Sequence, residues 1–317
     1  MLLHIDTDIG GDIDDLCALA MVLHWPGAEL AGITTVADDG GRRAGYVRHV
    51  LVLAGQHEVP LAAGADVSSG CFRVTPGYPP EADFWPAGVP PLPGPLPAAL
   101  DLLAVSIQRG ATVVAIGPFT NLRLLDERHP GLLARADLYL VGGTIFPPRR
   151  GYPQWGADMD WNVQEDIRSA QYVFEHAEPT IVPVVVTLET YLRRAYLLRL
   201  QAADAVAQLV ARQAEAFARL WRNEERLGRT HTALPDDTIN FQYDPLTCAI
   251  ALGWREGVHI EELPLRWTLR DGLLHGQVAR DGKPTRIVTA VDGDTFSQKW
   301  LDVVAAPPDV PGRERRA

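Results

Sequence analysis

Five aspartates fall within ten residues near the start of the chain, in the run Asp6-Thr7-Asp8-Ile9-Gly10-Gly11-Asp12-Ile13-Asp14-Asp15. Carboxylates held this close raise one another's pKa and oppose folding unless something neutralises them. A hard divalent cation is the simplest remedy, because calcium and magnesium bind through carboxylate and carbonyl oxygens. The mostly apolar run Met1 to Ile5 comes before the aspartates, and Leu16-Cys17-Ala18-Leu19-Ala20-Met21-Val22-Leu23 comes after them. That order reads as strand, glycine turn, helix. A plainer alternative is a solvated turn in which Asp14 caps the helix. The glycines and the flanking elements favour a metal or catalytic site instead.

Strand and helix patterns alternate through most of the chain. Glu29 to Val36 is β-rich and is followed by a helical stretch, Arg42 to Gly55. Ala111 to Ile116 precedes a short helical run after Thr120. Asp137 to Val141 leads through a long loop to the helix-like run Gln164 to His176. Thr180 to Val186 is a continuous β-branched run, expected to be a strand covered on both faces. Ala202 to Leu227 is the longest helical pattern, with Gly228 as its expected C-cap. From about His259 to Val291 the chain reads as short strands with turns at Arg270-Asp271-Gly272 and Arg280-Asp281-Gly282-Lys283. The expected fold is therefore α/β: a mainly parallel open sheet flanked by helices, with a small antiparallel C-terminal appendage. One domain over 1–312 is expected, with a frayed tail at 313–317 and a proline-rich surface loop from Thr75 to Pro97.

In such sheets ligands bind beyond the carboxyl ends of the strands. The aspartate turn follows the first strand, and Asp38-Asp39 follows the second. Gly117-Pro118-Phe119-Thr120-Asn121-Leu122 follows Val113 to Ile116, and Asp158, Asp160 and Asn162 lie in the loop after Leu138 to Gly143. Asp244-Pro245 opens a further helix, Leu246 to Leu252. Singly, each has a structural reading: Asp244 or Thr120 as helix caps, Asp38-Asp39 as a solvated turn. Their common placement on one sheet edge is what those readings leave unexplained.

Composition narrows the classes of function. The chain has 317 residues, is 47% hydrophobic and carries a net charge of -11, and only Lys283 and Lys299 are lysine. No basic patch is present to neutralise phosphates, so a nucleic-acid polymer is not an expected partner. Cys17, Cys71 and Cys248 are scattered without metal spacing and read as thiols in a reducing compartment. No apolar run is long enough to span a membrane, and the first strand begins too early to leave room for a signal peptide. A cytoplasmic location is expected.

These residues resemble the nucleoside hydrolases, the inosine–uridine-preferring nucleoside N-ribohydrolases. The opening signature of that family matches Asp6-Thr7-Asp8 and Asp14-Asp15 followed by Leu16-Cys17-Ala18-Leu19. Later signatures match, in order, Ile33-Thr34-Thr35-Val36, Gly117 to Leu122, Val141-Gly142-Gly143, Asp160-Trp161-Asn162 and Asp244-Pro245-Leu246. The resemblance implies a calcium-dependent enzyme that cleaves a ribonucleoside to free base and ribose. By position it implies Ca²⁺ held by the carboxylates of Asp8, Asp15 and Asp244 and the carbonyl of Thr120. Asp8 would be the general base on a calcium-bound water, and Asp14, Asp160 and Asn162 would hold ribose hydroxyls. Homo-oligomers, dimers or tetramers, are implied by the same analogy.

Three departures stand out. The glycine turn is two residues longer than the short family form, which leaves Asp12 without a counterpart. Asp38-Asp39 stands where many members have a glycine–asparagine pair, so Asp39 joins the implied substrate contacts. Tyr243 stands before Asp244 where many members place a histidine that protonates the departing base. A phenol with a pKa near ~10 is a weaker acid, though it still donates a hydrogen bond. His231 is a second candidate for that task. An apolar strand ending in Asp-x-Asp also opens haloacid-dehalogenase-type phosphatases, with Asp6 as nucleophile and Mg²⁺ as cofactor. A non-catalytic ribosyl-binding protein on the same scaffold is the third reading.

Overall fold

The computed structural model describes residues 1–66, 81–86 and 88–306. Cys71, residues 75–80 and 87 of the Thr75–Pro97 loop and the 313–317 tail lie outside the described residues; the rest of that loop segment includes a helical turn, Glu81–Phe84, and the start of a helix at Leu96. The strands are β1 (Leu2–Thr7), β2 (Glu29–Thr35), β3 (Leu61–Ala63), β4 (Thr112–Ala115), β5 (Leu138–Val141), β6 (Thr180–Val182), β7 (Tyr191–Arg193), β8 (Thr238–Phe241), β9 (His259–Arg270), β10 (Leu273–Val278) and β11 (Lys283–Ala290). Nine of them form one sheet in the order β10-β9-β11-β6-β5-β4-β1-β2-β3, while β7 and β8 pair as a separate antiparallel ribbon. From β11 to β3 every neighbouring pair is parallel. The chain builds outward from β1 to β2 and β3, then returns to the other side of β1 for β4, β5 and β6. The strand order therefore reverses between β1 and β4, and the crevice at such a reversal is where open α/β sheets bind ligands.

The main helices are α1 (Asp14–His24), α2 (Arg42–Leu53), α3 (Leu96–Gln108), α4 (Thr120–Arg128), α5 (Ile167–His176), α6 (Ala205–Trp221), α7 (Tyr243–Ala251) and α8 (Gly293–Val304). Strand alternation sorts their partners. Leu3, Ile5, Ile33, Val114 and Val141 pack with α1, α2, α6, α7 and α8, whereas Val113, Ala115, Leu138, Leu140 and Ile181 pack with α3, α4 and α5. Period-two alternation in a sheet covered on both faces requires this division. His4 and Asp6, between Leu3, Ile5 and Thr7 on β1, therefore belong to the α3 side.

The antiparallel C-terminal strands are continuous with the main sheet, because β11 pairs in parallel with β6 and antiparallel with β9. Two expectations need correction. The β-branched run from Thr180 is a strand only to Val182; Pro183 then begins a helical turn, Val184–Thr187. Proline has no N–H to give the ladder, so pairing stops where it enters. The long helix runs Ala205–Trp221, with its N-terminus capped by Asp204, whose carboxylate accepts from Ala207 N at 2.9 Å. It ends at Arg222, which is left-handed with φ 53°, and Gly228 is not its cap. Gly228 lies instead where a Cβ would stand 2.6 Å from the Asp236 carbonyl oxygen, so two backbones approach there.

Candidate active site

The turn after β1 brings its acids against the start of α7. Donor oxygens of Asp14, Asp15 and Asp244 all lie within 4.8 Å of one another, and all three residues are buried. Asp14 does not cap α1: the N-cap is Ile13, with no side-chain bond. Nor does Asp244 cap α7, whose N-cap is Gln242; it lies inside the first turn. Burial pushes the carboxyls of Asp14, Asp15 and Asp244 well above the usual carboxylate range, and their mutual repulsion adds to it. The Thr7 hydroxyl donates to Asp15 Oδ1.

Asp8, at the exit of β1, has its pKa raised first by burial and also by Glu165, against the pull of Arg43. Its charge acts on Asp14, Asp15 and Asp244 alike. Gly117, after β4, lets the two chain segments meet: a Cβ there would stand 3.0 Å from Asp8 Oδ1 and 2.7 Å from Val36 Cγ1. Three residues on, Thr120 starts α4 and donates its hydroxyl to Asp166 Oδ2 at 2.6 Å, so it is not the helix cap. Sequence reasoning missed Arg43 and Glu165. Arg43 donates to the Ile9 carbonyl at 3.0 Å, bracing the aspartate turn from α2; an arginine in a basic pair gives no hint of this in sequence.

Asp160 is buried. Its carboxylate accepts from Gly143 N at 2.6 Å and from Val163 N at 3.4 Å, and burial raises its pKa to about 7. Asn162 donates to the Val141 carbonyl at 3.3 Å. Both are therefore fixed at the exit of β5.

The lengthened turn places Asp12 at the surface, where its carboxylate accepts from Ile13 N at 2.5 Å and from Asn240 Nδ2 at 2.6 Å. Neighbouring atoms still strip enough water from the carboxyl to push its pKa up to about 6. Tyr243 is half-buried. Burial, then Asp12, Asp14 and Asp244, push its phenol well above its ordinary value, so it keeps its proton. Its ring meets Phe241 at 5.7 Å, and Phe241 meets Trp155 at 5.5 Å.

Two candidates do not join this group. Asp39 is exposed, while its neighbour Asp38 is buried and accepts from Thr35 Oγ1, Arg43 N and Ala44 N, tying the start of α2. His231 lies in a separate open hollow with Pro147, Arg150 and Tyr152, bonded to the Leu227 carbonyl at 3.0 Å. The phosphatase reading also fails on geometry. Asp6 is 0% exposed and bonded to Thr34 and Asn121, which leaves no path for attack on a phosphoryl group.

Comparison with known proteins agrees with this geometry. The chain is 25% identical over 311 residues to the pyrimidine-specific ribonucleoside hydrolase RihA of Salmonella arizonae, covering 92% of this chain and 89% of the relative. The Klebsiella pneumoniae counterpart is 26% identical over the same shares. Among solved structures, the purine-preferring ribonucleoside hydrolase from Gardnerella vaginalis superposes with a TM-score of 0.74 at 18% identity, covering 96% of this chain and 98% of that one. The plant nucleoside hydrolase PpNRh1 gives 0.72 at 19% identity, with 96% and 99% covered. Residues 3–298 match the family described as inosine-uridine preferring nucleoside hydrolase, and the chain belongs to that family of hydrolases.

Proposed function

We propose that this protein hydrolyses the N-glycosidic bond of a ribonucleoside to free base and ribose, with Ca²⁺ as its metal. The observation that carries this reading is the buried trio Asp14, Asp15 and Asp244, whose donor oxygens converge within 4.8 Å. An all-oxygen donor set with surplus negative charge suits a hard cation, and repulsion among the acids is what such an ion relieves. Asp8, Asp15, Asp244 and the Thr120 carbonyl are the proposed ligands. When bound, the ion supplies Lewis-acid chemistry, lowering the pKa of water and orienting it.

The residues of the chain do the rest. Asp8 takes the proton from the attacking water. Asp14, Asp160 and Asn162 hold ribose hydroxyls and fix the sugar against Asp8. As the bond to the base breaks, positive charge grows on the ribosyl ring, as in other glycosyl transfers. Surrounding carboxylates stabilise that charge more than they stabilise the neutral substrate, which lowers the barrier. Tyr243, kept protonated, donates a hydrogen bond to the departing base, and the ring system of Tyr243, Phe241 and Trp155 gives the base an apolar face. The named relatives divide between pyrimidine and purine, so the base itself is left to experiment.

The test is reducing-sugar release across a panel of nucleosides, with and without a chelator. Release that stops on chelation and returns with calcium is expected. Nucleoside binding without release would instead support a ribosyl-binding protein.

A further inference from the structure

One side chain ties the turn that carries Asp160 and Asn162 to the far edge of the main sheet. Gln164 lies in the short helix Trp161–Glu165, which starts from Asp160, and it is 0% exposed. Its Nε2 donates to the Leu274 carbonyl at 2.8 Å, and its Oε1 accepts from Leu274 N at 2.9 Å. Leu274 is on β10, the edge strand, whose other side pairs with β9. The amide thus matches both backbone groups that the edge leaves open at Leu274, as a further strand would. Leu274 is itself 0% exposed, so a side chain unable to do this would strand two buried backbone groups, which is costly.

The same antiparallel strands press on the site from a second direction. After β5 the chain turns through Gly142 and Gly143, with φ of 141° and 90°. A Cβ on Gly142 would stand 3.0 Å from Val163 Cγ2 and 3.2 Å from Asp160 Oδ1, and one on Gly143 would stand 2.9 Å from Trp267 Cη2. Trp267, on β9, stacks on Phe174 of α5 with ring centroids 3.7 Å apart. The glycine turn is therefore held between the Asp160 carboxylate, which accepts from Gly143 N, and the indole of β9. On β10, a Cβ at Gly276 would crowd Ile145 Cγ1 of the same loop, 3.0 Å away. Strands β9 and β10 carry no candidate site residue, yet they form the wall behind the residues proposed to hold the sugar.

Resting on the nucleosidase reading above, we infer that Gln164 is a positioning residue for the ribose, acting through Asp160 and Asn162. A helix of five residues does not hold its own place, so its ties decide where it sits. Those ties are Asp160 to Gly143 N, Asn162 to the Val141 carbonyl and Gln164 to β10. Misplacing a substrate-orienting group by about 1 Å costs on the order of 10²-fold in rate. Gln164 does this without touching substrate.

Steady-state kinetics and amide hydrogen exchange on the parent, Gln164→Met and Gln164→Glu test this. The substrates are uridine or inosine, whichever the parent cleaves faster, and its 2′-, 3′- and 5′-deoxy analogues. Gln164→Met keeps the length of the side chain and removes both bonds to Leu274. Its kcat/KM on the full ribonucleoside is expected to fall about 10–100-fold. On the analogue that lacks the hydroxyl held by this turn, the loss should shrink to within about threefold, because the coupled contact is already gone. Exchange of the Gly143 amide, whose acceptor is Asp160, should speed up by about tenfold as the turn loosens. A folded Gln164→Met with parental kcat/KM overturns the inference, and so does an equal loss on all four substrates, which a merely structural role would give. If that variant does not fold, Gln164→Glu, which keeps the size and the acceptor for Leu274 N, is read in its place, and parental kinetics there overturn the inference. Failure of the parent to release sugar from any nucleoside overturns the hydrolase reading instead. Exchange at Gly143 then still decides whether Gln164 holds Asp160 in place, and parental exchange in both variants means that it does not.

Discussion

The acid end of the site and its aromatic end are built on different kinds of structure. Asp8, Asp15 and Asp244 stand at the exit of β1 and the first turns of α1 and α7, inside a parallel sheet covered on both faces. Trp155 lies on the long loop after β5 and Phe241 on the two-stranded β7–β8 ribbon, while Tyr243 is the first residue of α7, next to Asp244. Two ion pairs hold that ribbon and its loop, Arg149 with the buried Glu189 and Arg193 with the partly exposed Asp237. The pair of partly exposed groups, Arg193 with Asp237, is of the kind that contributes little. The acid end is thus fixed by the main core, and the aromatic end by a small cluster of its own around Phe241, Leu188 and Leu234. In the proposed reaction the chemistry rests on the first and the contact with the base on the second.

The largest effect expected is at the acid end. Asp8→Asn should keep the fold, since an amide still offers calcium an oxygen, yet it cannot take a proton from water. Sugar release should fall by about 10²–10⁴-fold. Turnover within a few-fold of the parent would remove Asp8 from the role of base.

The next effect is on stability. Burial raises the carboxyl pKa values of Asp6 and Asp160 to about 7, against an ordinary value of 3.8. Between those values the folded chain holds protons that the unfolded chain has lost, so stability falls as pH rises through the window. The slope is about 1.4 kcal/mol per pH unit for each group. Melting in chelator should therefore be lower near pH ~7.5 than near ~5, and calcium should flatten the difference. A flat profile in chelator would mean that the chain neutralises these acids by itself.

At the aromatic end the effects should be smaller. Tyr243→Phe should slow an ordinary nucleoside about tenfold, the worth of one hydrogen bond of about 1–2 kcal/mol. It should leave p-nitrophenyl riboside, whose leaving group needs no proton, nearly unchanged. Equal losses on both substrates would place Tyr243 at the sugar and blur the division drawn above. Smallest of all, His231→Ala should alter sugar release by no more than about twofold, as for a surface change. A larger loss would bring the hollow around His231 into the reaction.

The same division explains what could be read from the sequence. The alternation of β1, β2, β4 and β5 with helices, and the acids at their ends, are local patterns, and of those acids Asp14 and Asp15 lie together with Asp244. Thr180 to Val186 misled because β-branched residues report covering on both faces, while a strand also needs ladder partners, and Pro183 removes one. The helix expected to reach Leu227 stops at Trp221 because Arg222 turns left-handed there, a backbone choice that its side chain does not announce. Asp39 and His231 were placed by neighbourhood in sequence. Whether a loop residue faces a site depends on the path of its loop, and Asp38, not Asp39, turned inward to hold α2. Arg43, Asn240 and Glu165 carried no signal at all, since each acquires its meaning only from a distant partner.

That distance has a consequence during synthesis. Asp12 and its partner Asn240 are 228 residues apart, and the Trp300 indole of α8 donates to the Cys17 carbonyl of α1 across 283. The acids of the first turn are thus made at the outset and Asp244 only near the end. A ribosome carrying a half-made chain displays an incomplete crescent of aspartates, without the residue that closes it. Activity should therefore arrive late and all at once as translation finishes, and slow, long-range closure of this kind leaves the early aspartates waiting on the last quarter of the chain.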